Sequence, residues 1–382
     1  MRIWGFLAIE STGADGKRPG GAGQTDAYWS PLSHLADAGV TRLPHTEAMT
    51  TDRPVSLPVL RPARLPDDLK AMAAVMSSAA PRFPMTPEVL EARFASDDPA
   101  LQVARWVAED EGTLVGVAGL SQQDAAANAE AYWLHVWVAG PWQRRGVGRA
   151  LLEVLEREAL ALGGRKLKGG VRQDVPGALA LAEGGGYGRA WTRYESSLDV
   201  TPQRDFSSFA PLLAGLQDAG IVFRTVAELA GDAGRDRQLW ELDWQLLSDV
   251  PMGMAFSRTP LDVWVRQRLQ NPQFEPGLSF VALDPALADP LTGPYIGVST
   301  LERDPNGDYF IGMTGVLPAY RGRGVAKGLK VQAMRALRQR GGGVIRTLND
   351  PPNVAMLGMN AALGFERGHD FYRYERDLLE EA

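Results

Sequence analysis

Two stretches of this chain repeat one another at a fixed separation, and that repeat limits what the chain can fold into. Val138 to Leu152 reads VAGPWQRRGVGRALL, and Val316 to Lys330 reads VLPAYRGRGVAKGLK. Gln143 answers Arg321, Gly146 answers Gly324 and Gly148 answers Ala326, each pair 178 residues apart. Further on, Gly186-Tyr187 and Gly364-Phe365 keep the same spacing. Upstream, Thr86-Pro87 and Thr259-Pro260 each read as an N-cap followed by Pro at the first helical position, at a slightly different offset. An internal duplication of a unit of roughly 150 residues accounts for all of these landmarks.

In each copy an apolar strand pattern enters the motif and a helical pattern leaves it. Gly322 and Gly324 let the backbone approach a ligand and take conformations that a side chain forbids. The first N–H groups of the following helix lack internal partners, and with the helix dipole they form a site for a pyrophosphate. Arg321 and Arg323 add charge at its rim.

The first copy reads as a strand at 58–61, helices at 67–80 and 87–95, and strands at 103–109, 114–121 and 131–138. The motif helix, a strand near 165–172, a short helix at 176–183 and a closing strand at 187–199 follow. Residues 201–220 form a connector with a helix at 208–219. The second copy repeats the series: a strand at 221–226, helices at 235–248 and 260–270, and strands at 278–284, 294–302 and 308–317. After its motif helix come a strand at 343–348, a helix at 353–362 and a closing strand at 368–378. This order predicts an α/β (α+β) chain of two tandem domains, 55–200 and 221–382. Each is a mixed, mostly antiparallel sheet flanked by helices. Residues 1–54, rich in Gly, Pro, Ser and Thr without sustained periodicity, read as a flexible extension, and Met49 is an alternative start.

Composition removes several classes of function. The 40 Lys+Arg against 46 Asp+Glu, with no long basic run, argue against a nucleic-acid partner. Absence of Cys excludes disulfides, thiolate metal sites and a cysteine nucleophile, and the 4 His fall in no metal-ligand spacing. With no apolar run of transmembrane length and no convincing signal peptide, the chain is expected in the cytoplasm, off the membrane, as a monomer or homodimer.

The pattern Arg/Gln-x-x-Gly-x-Gly/Ala at a strand-to-helix junction, with an Asn-rich helix and a later Gly-Phe, resembles the GNAT superfamily of acyl-CoA-dependent N-acyltransferases. Two copies resemble its tandem members. The resemblance covers residues ~55 to ~380 and is strongest over 309–374. It implies acetyl-CoA as donor and a small-molecule amine as acceptor. It also implies that the pantetheine arm pairs with the free edge of the motif strand, at Val316 and Pro318 or at Val138 and Gly140, with the Val316 N–H facing the thioester oxygen. The diphosphate then falls to Arg321, Gly322, Arg323, Gly324, Val325 and Ala326, and in the first copy to Gln143, Gly146 and Gly148. Lys327 or Lys330 would meet the ribose phosphate.

The chain departs from the family pattern where protons move. A Tyr often found four residues before the Gly of the Gly-Phe pair is Asn360 here and Ala182 in the first copy. A carboxylate position on the motif strand is Phe310, or Tyr132. Glu302 on the preceding strand is the leading candidate base. Thr314 is expected to align a water, and Tyr372 or Tyr374 to act as acid. By the same resemblance Asn349, Asn353 and Asn360 face the cofactor arm. Their first-copy counterparts Val171, Val175 and Ala182 are apolar, so the second copy is expected to be the catalyst. Trp133, His135 and Trp137 read as core residues, and 249–254 as a loop able to line an acceptor pocket. Two other readings remain: a non-catalytic acyl-CoA sensor, motivated by the missing Tyr and carboxylate, and a dinucleotide-dependent oxidoreductase. The second fails because Gly322-x-Gly324 lacks the third glycine and the acid that such a site needs.

Overall fold

Short β-rich runs and amphipathic stretches alternate along the sequence, and in the structure, a computed structural model, they become strands and helices close to those bounds. Described are residues 7–8, 58–124, 127–250 and 257–379. In chain order these are β1 (Leu7–Ala8), β2 (Val59–Pro62), α1 (Leu69–Ala79), α2 (Pro87–Ala95), β3 (Val103–Asp110), β4 (Thr113–Gln122) and β5 (Ala131–Val138). Next come α3 (Val147–Ala161), β6 (Lys166–Arg172), α4 (Pro176–Gly184) and β7 (Gly188–Val200). The connector helix α5 (Ala210–Asp218) leads to β8 (Val222–Thr225), α6 (Arg235–Ser248), α7 (Leu261–Gln267), β9 (Phe280–Leu283), β10 (Tyr295–Arg303) and β11 (Tyr309–Val316). The end of the chain forms α8 (Val325–Gln339), β12 (Gly343–Asn349), α9 (Val354–Ala362) and β13 (Glu366–Asp377).

The duplication is visible residue for residue, since α3 and α8, β5 and β11, and α4 and α9 all keep the 178-residue offset at both ends. Thr86 caps α2, its side chain accepting from the Val89 N–H, with Pro87 at the first position. The second copy differs by one residue. There Pro260 itself occupies the cap of α7, and the Thr259 carbonyl accepts from the Trp240 indole at 2.8 Å.

The strands form one sheet in the order β2-β3-β4-β5-β6-β13-β7-β12-β11-β10-β9-β8. The expectation that each closing strand completes its own copy is corrected here: β13 lies between β6 and β7, and β7 pairs with β12. Periodicity marks a segment as a strand without naming its neighbour, and the two closing strands of a duplicated chain offer equivalent edges. Each half therefore takes its last strand from the other. Tyr372 and Tyr374 of β13 pack in the core under α3, while Leu198 and Val200 of β7 pack with Val331, Met334 and Leu337 of α8. Buried ion pairs pin the exchange, Glu195 to Arg172 at 3.0 Å and Arg193 to Asp350 at 3.2 Å.

Both motif strands part from their parallel neighbour. β5 pairs with β6 only at Ala131, Tyr132 and Trp133, and β11 with β12 only at Tyr309 and Phe310. The halves then differ in two ways. Against β10, strand β11 has a bulge in which Gly312 and Met313 oppose Thr300, whereas β5 runs unbroken along β4 from Tyr132 to Val138. The gap beside β5 also takes β1, with Leu7 opposite Val136 and Ala8 opposite Trp137 in parallel. An expected flexible extension thus contributes a short strand, because backbone pairing at an open edge needs no side-chain pattern. The rest of 1–57, including Met49, lies outside the described residues.

The motif loops bend through left-handed residues. Gly146 and Gly324, with φ of 86° and 85°, precede α3 and α8. Two positions earlier in that bend Gly322 has φ 76°, but its counterpart is Arg144, exposed, at φ 63°. A left-handed conformation costs an L-residue about 1–2 kcal/mol, offset in part by the roughly 0.5–1 kcal/mol that extra freedom of glycine costs on folding. Arg144→Gly is expected to stabilise the protein by about 0.5–1 kcal/mol, read as a higher urea midpoint at unchanged slope; a lower midpoint contradicts the strain assignment.

Candidate active site

The bulged, half-unpaired β11 builds the site. Beyond Phe310 its β12 side carries no strand pairing, and the strand ends at Val316, buried at the lip of the motif loop. A 3₁₀ turn at Pro318–Tyr320 leads to Arg321, and Gly322 and Gly324 turn the chain into α8. The first intrahelical bond runs from the Gly328 N–H to the Gly324 carbonyl, so the N–H groups of Val325, Ala326 and Lys327 have no acceptor within the helix. A Cβ on Gly322 would meet nothing within 4 Å, which leaves the outer face of the loop open for a ligand to lie against backbone. This arrangement fits the diphosphate and pantetheine of coenzyme A: free amides for one and a free strand edge for the other.

Arg321 does a different job from the rim charge expected of it. Its Nε donates to the Val316 carbonyl at 3.0 Å and its guanidinium pairs with Asp249, so it ties loop to strand. Gln143 does the same in the first half, Nε2 to the Val138 carbonyl at 2.9 Å. Arg323 lies 5.1 Å from the Tyr320 ring centre and is exposed. Gly148, the counterpart of Ala326, is buried in α3.

A cavity of about 90 Å³ follows the free edge between β11, β12 and α9, and Met313, Thr314, Lys330, Asn349, Asn353 and Met356 line it. Thr314 Oγ1 lies 2.9 Å from Ser299 Oγ. Asn353 caps α9, its side chain accepting from the Met356 N–H at 3.2 Å. Asn360 is buried behind the cavity wall and bonded to both Lys330 and Asn349. Glu302, half-buried, lines an adjoining cavity of about 60 Å³, and a Cβ on Gly312 would come within 3.4 Å of its Oε1. The glycine in the bulge therefore brings this carboxylate next to the motif strand.

Two expectations are corrected. Tyr372, with Tyr374, belongs to the first half's core through the strand exchange, and so neither reaches this cavity. Tyr374 donates to Glu183 at 2.8 Å, and burial with this bond pushes its hydroxyl up to about 12. Lys330 is turned inward and 1 % exposed, so it cannot meet a phosphate at the rim. Burial draws its ammonium down to about 7. The exchange brings in Arg193 of β7, which pairs with Asp350 at the cavity, and α7 ends at Arg268 beside it. The sequence reading missed both, since each depends on a distant pairing.

A larger cavity of about 390 Å³ adjoins, floored by β4 and β5 and closed by α2 and residues 257–260. Trp137 is core as expected, while Trp133 and His135 are half-buried and line this cavity. Burial, then Arg93 and Arg105, lowers His135 to about 3, which keeps its imidazole neutral. Leu247 borders both this cavity and the β11 cleft. Of the expected pocket loop, Asp249 and Val250 are described, and 251–254 lie outside the described residues. Among the described residues no helix is long and apolar enough to cross a membrane.

Lys330 makes a stability test possible. Its folded value of about 7 lies below the ordinary 10.5, so the unfolded chain binds more protons between those limits. The penalty of the buried charge is present below pH 7 and is relieved as pH rises. Stability of the wild type relative to Lys330→Leu is expected to climb from about pH 7 to 10.5; a flat difference in unfolding free energy over that window would show that Lys330 is not enclosed as a cation.

The sequence matches the Acetyltransferase (GNAT) family over residues 71–187 and 243–365. Mycothiol acetyltransferase of Nocardia farcinica is 32% identical over 268 residues, 69% of this chain and 79% of its own. That of Acidothermus cellulolyticus is 26% identical over 299 residues, 75% of this chain and 84% of its own. Among solved structures, a tandem GNAT protein from the clavulanic acid biosynthesis pathway superposes with a TM-score of 0.66 at 21% identity. It covers 86% of this chain and 100% of that one.

Proposed function

Because the chain belongs to the acetyltransferase (GNAT) family and is an acetyl-CoA-dependent acetyltransferase of the tandem kind, we propose that its second half acetylates the primary amine of a small molecule or amino-acid derivative. The observation that carries this reading is the unpaired β11 edge leading from the motif loop to a cavity that Thr314, Lys330, Asn349 and Asn353 line. The corresponding gap in the first half takes the β1 strand, and the counterparts of Asn349, Asn353 and Asn360, namely Val171, Val175 and Ala182, are buried in its apolar core. Membership of an enzyme family sets aside the sensor reading.

Donor binding falls to the Val316 edge and to backbone N–H groups from Gly322 to Ala326, with Arg321 fixing the loop against the strand. Asn353 and Thr314 line the path of the pantetheine arm. When bound, acetyl-CoA supplies an activated acetyl carbon. Glu302 accepts the proton that the amine loses, being the carboxylate that Gly312 admits beside the bulge. The acceptor enters between the halves, where the 390 Å³ cavity, lined by Asp97, Asp98 and Asp124 and by Arg93, Arg105 and Arg258, suits a small polar molecule. The likeness to mycothiol acetyltransferases makes the acceptor of those enzymes one amine to test.

Free-thiol release across an amine panel reads out turnover. Arg321→Glu with Gly324→Val is expected to abolish it, since a Cβ at 324 would lie 2.6 Å from Leu212 Cδ1 in a left-handed bend. Gln143→Glu with Gly146→Val should spare most of it, and the reverse pattern overturns the choice of half. Glu302→Gln is expected to lower kcat about 100-fold or more with the affinity for acetyl-CoA, measured by calorimetry, kept; unchanged kcat removes Glu302 as base.

A further inference from the structure

Helix α8 holds one side chain that its duplicate manages without. Lys330 Nζ donates to Asn360 Oδ1 at 2.6 Å, and Asn360 Nδ2 donates to Asn349 Oδ1 at 2.7 Å. The Phe365 ring centre lies 5.2 Å from Nζ. In the first half the three polar positions are Leu152, Ala182 and Val171, all fully buried in an apolar cluster. The same helix therefore packs on the same strands with leucine. Enclosing an ammonium costs several kcal/mol, so a lysine where the fold accepts leucine points to use in the chemistry.

The use follows from where the lysine sits. Lys330 lines the cavity along the unpaired part of β11, beside Met313, Thr314, Asn349 and Asn353. Asn360 occupies the place at which a proton donor for the departing thiolate is expected, and it has no acidic proton to give; it holds one that does. We propose that Lys330 is the proton donor to the coenzyme A sulfur, with Asn360 as its positioning residue. The inference rests on the second half being the catalytic one. As the acceptor nitrogen bonds to the acetyl carbon, the C–S bond breaks and its electron pair stays on sulfur. One Nζ proton passes to that sulfur, Lys330 is left neutral, and it regains a proton from solvent. The surplus proton of the amine leaves through Glu302.

The transfer runs downhill, because Lys330 is held at about 7 and a free thiol ionises near 8.5. The charges facing the cavity are accounted for. Arg193 pairs with Asp350, and Arg346 of β12 pairs with Asp308. Glu195 of β7 pairs with Arg172. Arg268 stands at the cavity wall, and Glu302 lies on the other side of Gly312. Strand β9 and helix α9 carry no charged side chain, and β11 carries only the tyrosine Tyr309 as an ionisable group.

Lys330→Leu copies the first half and should leave the thermal midpoint equal or raised. With it kcat is expected to fall about 100-fold or more. The fall in wild-type kcat as Lys330 loses its proton above about pH 7 should disappear. A second readout needs no acceptor: ionisation of coenzyme A bound to the protein, followed by thiolate absorbance against pH with desulfo-coenzyme A as blank. At about pH 6, where Lys330 still carries its proton, ammonium beside sulfur should give about tenfold more bound thiolate in the wild type than in the variant, the equivalent of about one pKa unit. A variant that keeps the basic limb, or binds coenzyme A with the wild-type thiol ionisation, overturns the assignment. If the thiol shift is present while no amine is acetylated, the amine reading fails and the role of Lys330 stands.

Discussion

Past Phe310, strand β11 is left without a strand partner on the β12 side, and the cleft of the second half is built around that gap. A strand edge inside a sheet leaves donors and acceptors that must be satisfied, and an extended ligand arm can do so where a neighbouring strand has turned away. The bulge at Gly312–Met313 shifts the facing of the strand midway. Tyr309 and Ile311 pack under α8, and Ile311 to Thr314 border the cavity. Met313 N–H is still satisfied, by Thr300 Oγ1 at 2.9 Å, so the distortion leaves no orphaned amide at that point. Placing the motif loop at the end of this strand puts free helix amides and a free edge on one line.

The strand exchange at the seam makes the halves interdependent. β13 completes the sheet beside β6, and β7 completes it beside β12, with Asn349 opposite Tyr194. Alternate residues of β7 serve opposite sides: Arg193 holds Asp350 at the cleft of the second half, and Glu195 reaches Arg172 of the first. Burial pushes the Glu195 carboxyl up and the Arg172 charge opposes it, so removing either partner would strand a charge in a dry place. A cut in the connector would not free either half, because each would lose the last strand of its core.

What the sequence made legible was local. The 178-residue repeat, the helix bounds, the turn at Glu111-Gly112 with φ of 44° and 82°, and the asparagines of the second half could all be read in short windows. The misreadings share a cause in long-range pairing. Tyr372 looked available to the second half because it ends that half's sequence, yet β13 carries it into the other core. Lys330 was expected at the ribose phosphate, since nothing in α8 itself shows that α9 closes over it. Its counterpart Leu152 was the available signal: at a position where one copy is apolar core, a charged residue in the other copy is enclosed unless the packing differs. Comparing the halves column by column, and not only at the motif, would have singled it out.

That comparison also explains why a duplicated chain keeps a half whose cleft has lost its polar residues. Where the second half has Gly322, open to a ligand, the first has Arg144 strained at φ 63°. Where the second has Lys330, Asn349 and Asn360, the first has Leu152, Val171 and Ala182. The gap beside β5 is met by Leu7–Ala8, a strand of the chain itself. The changes to Leu152, Val171 and Ala182 trade polar contact for packing. The first half still provides β4, β5 and α2 as floor and wall of the largest described cavity, and Asp124 there bonds the Ser257 hydroxyl at 2.6 Å at the mouth of the second half. In the proposed reading one copy carries the chemistry and the other supplies a wall of the cavity, and the exchanged strands hold that wall in register with the cleft.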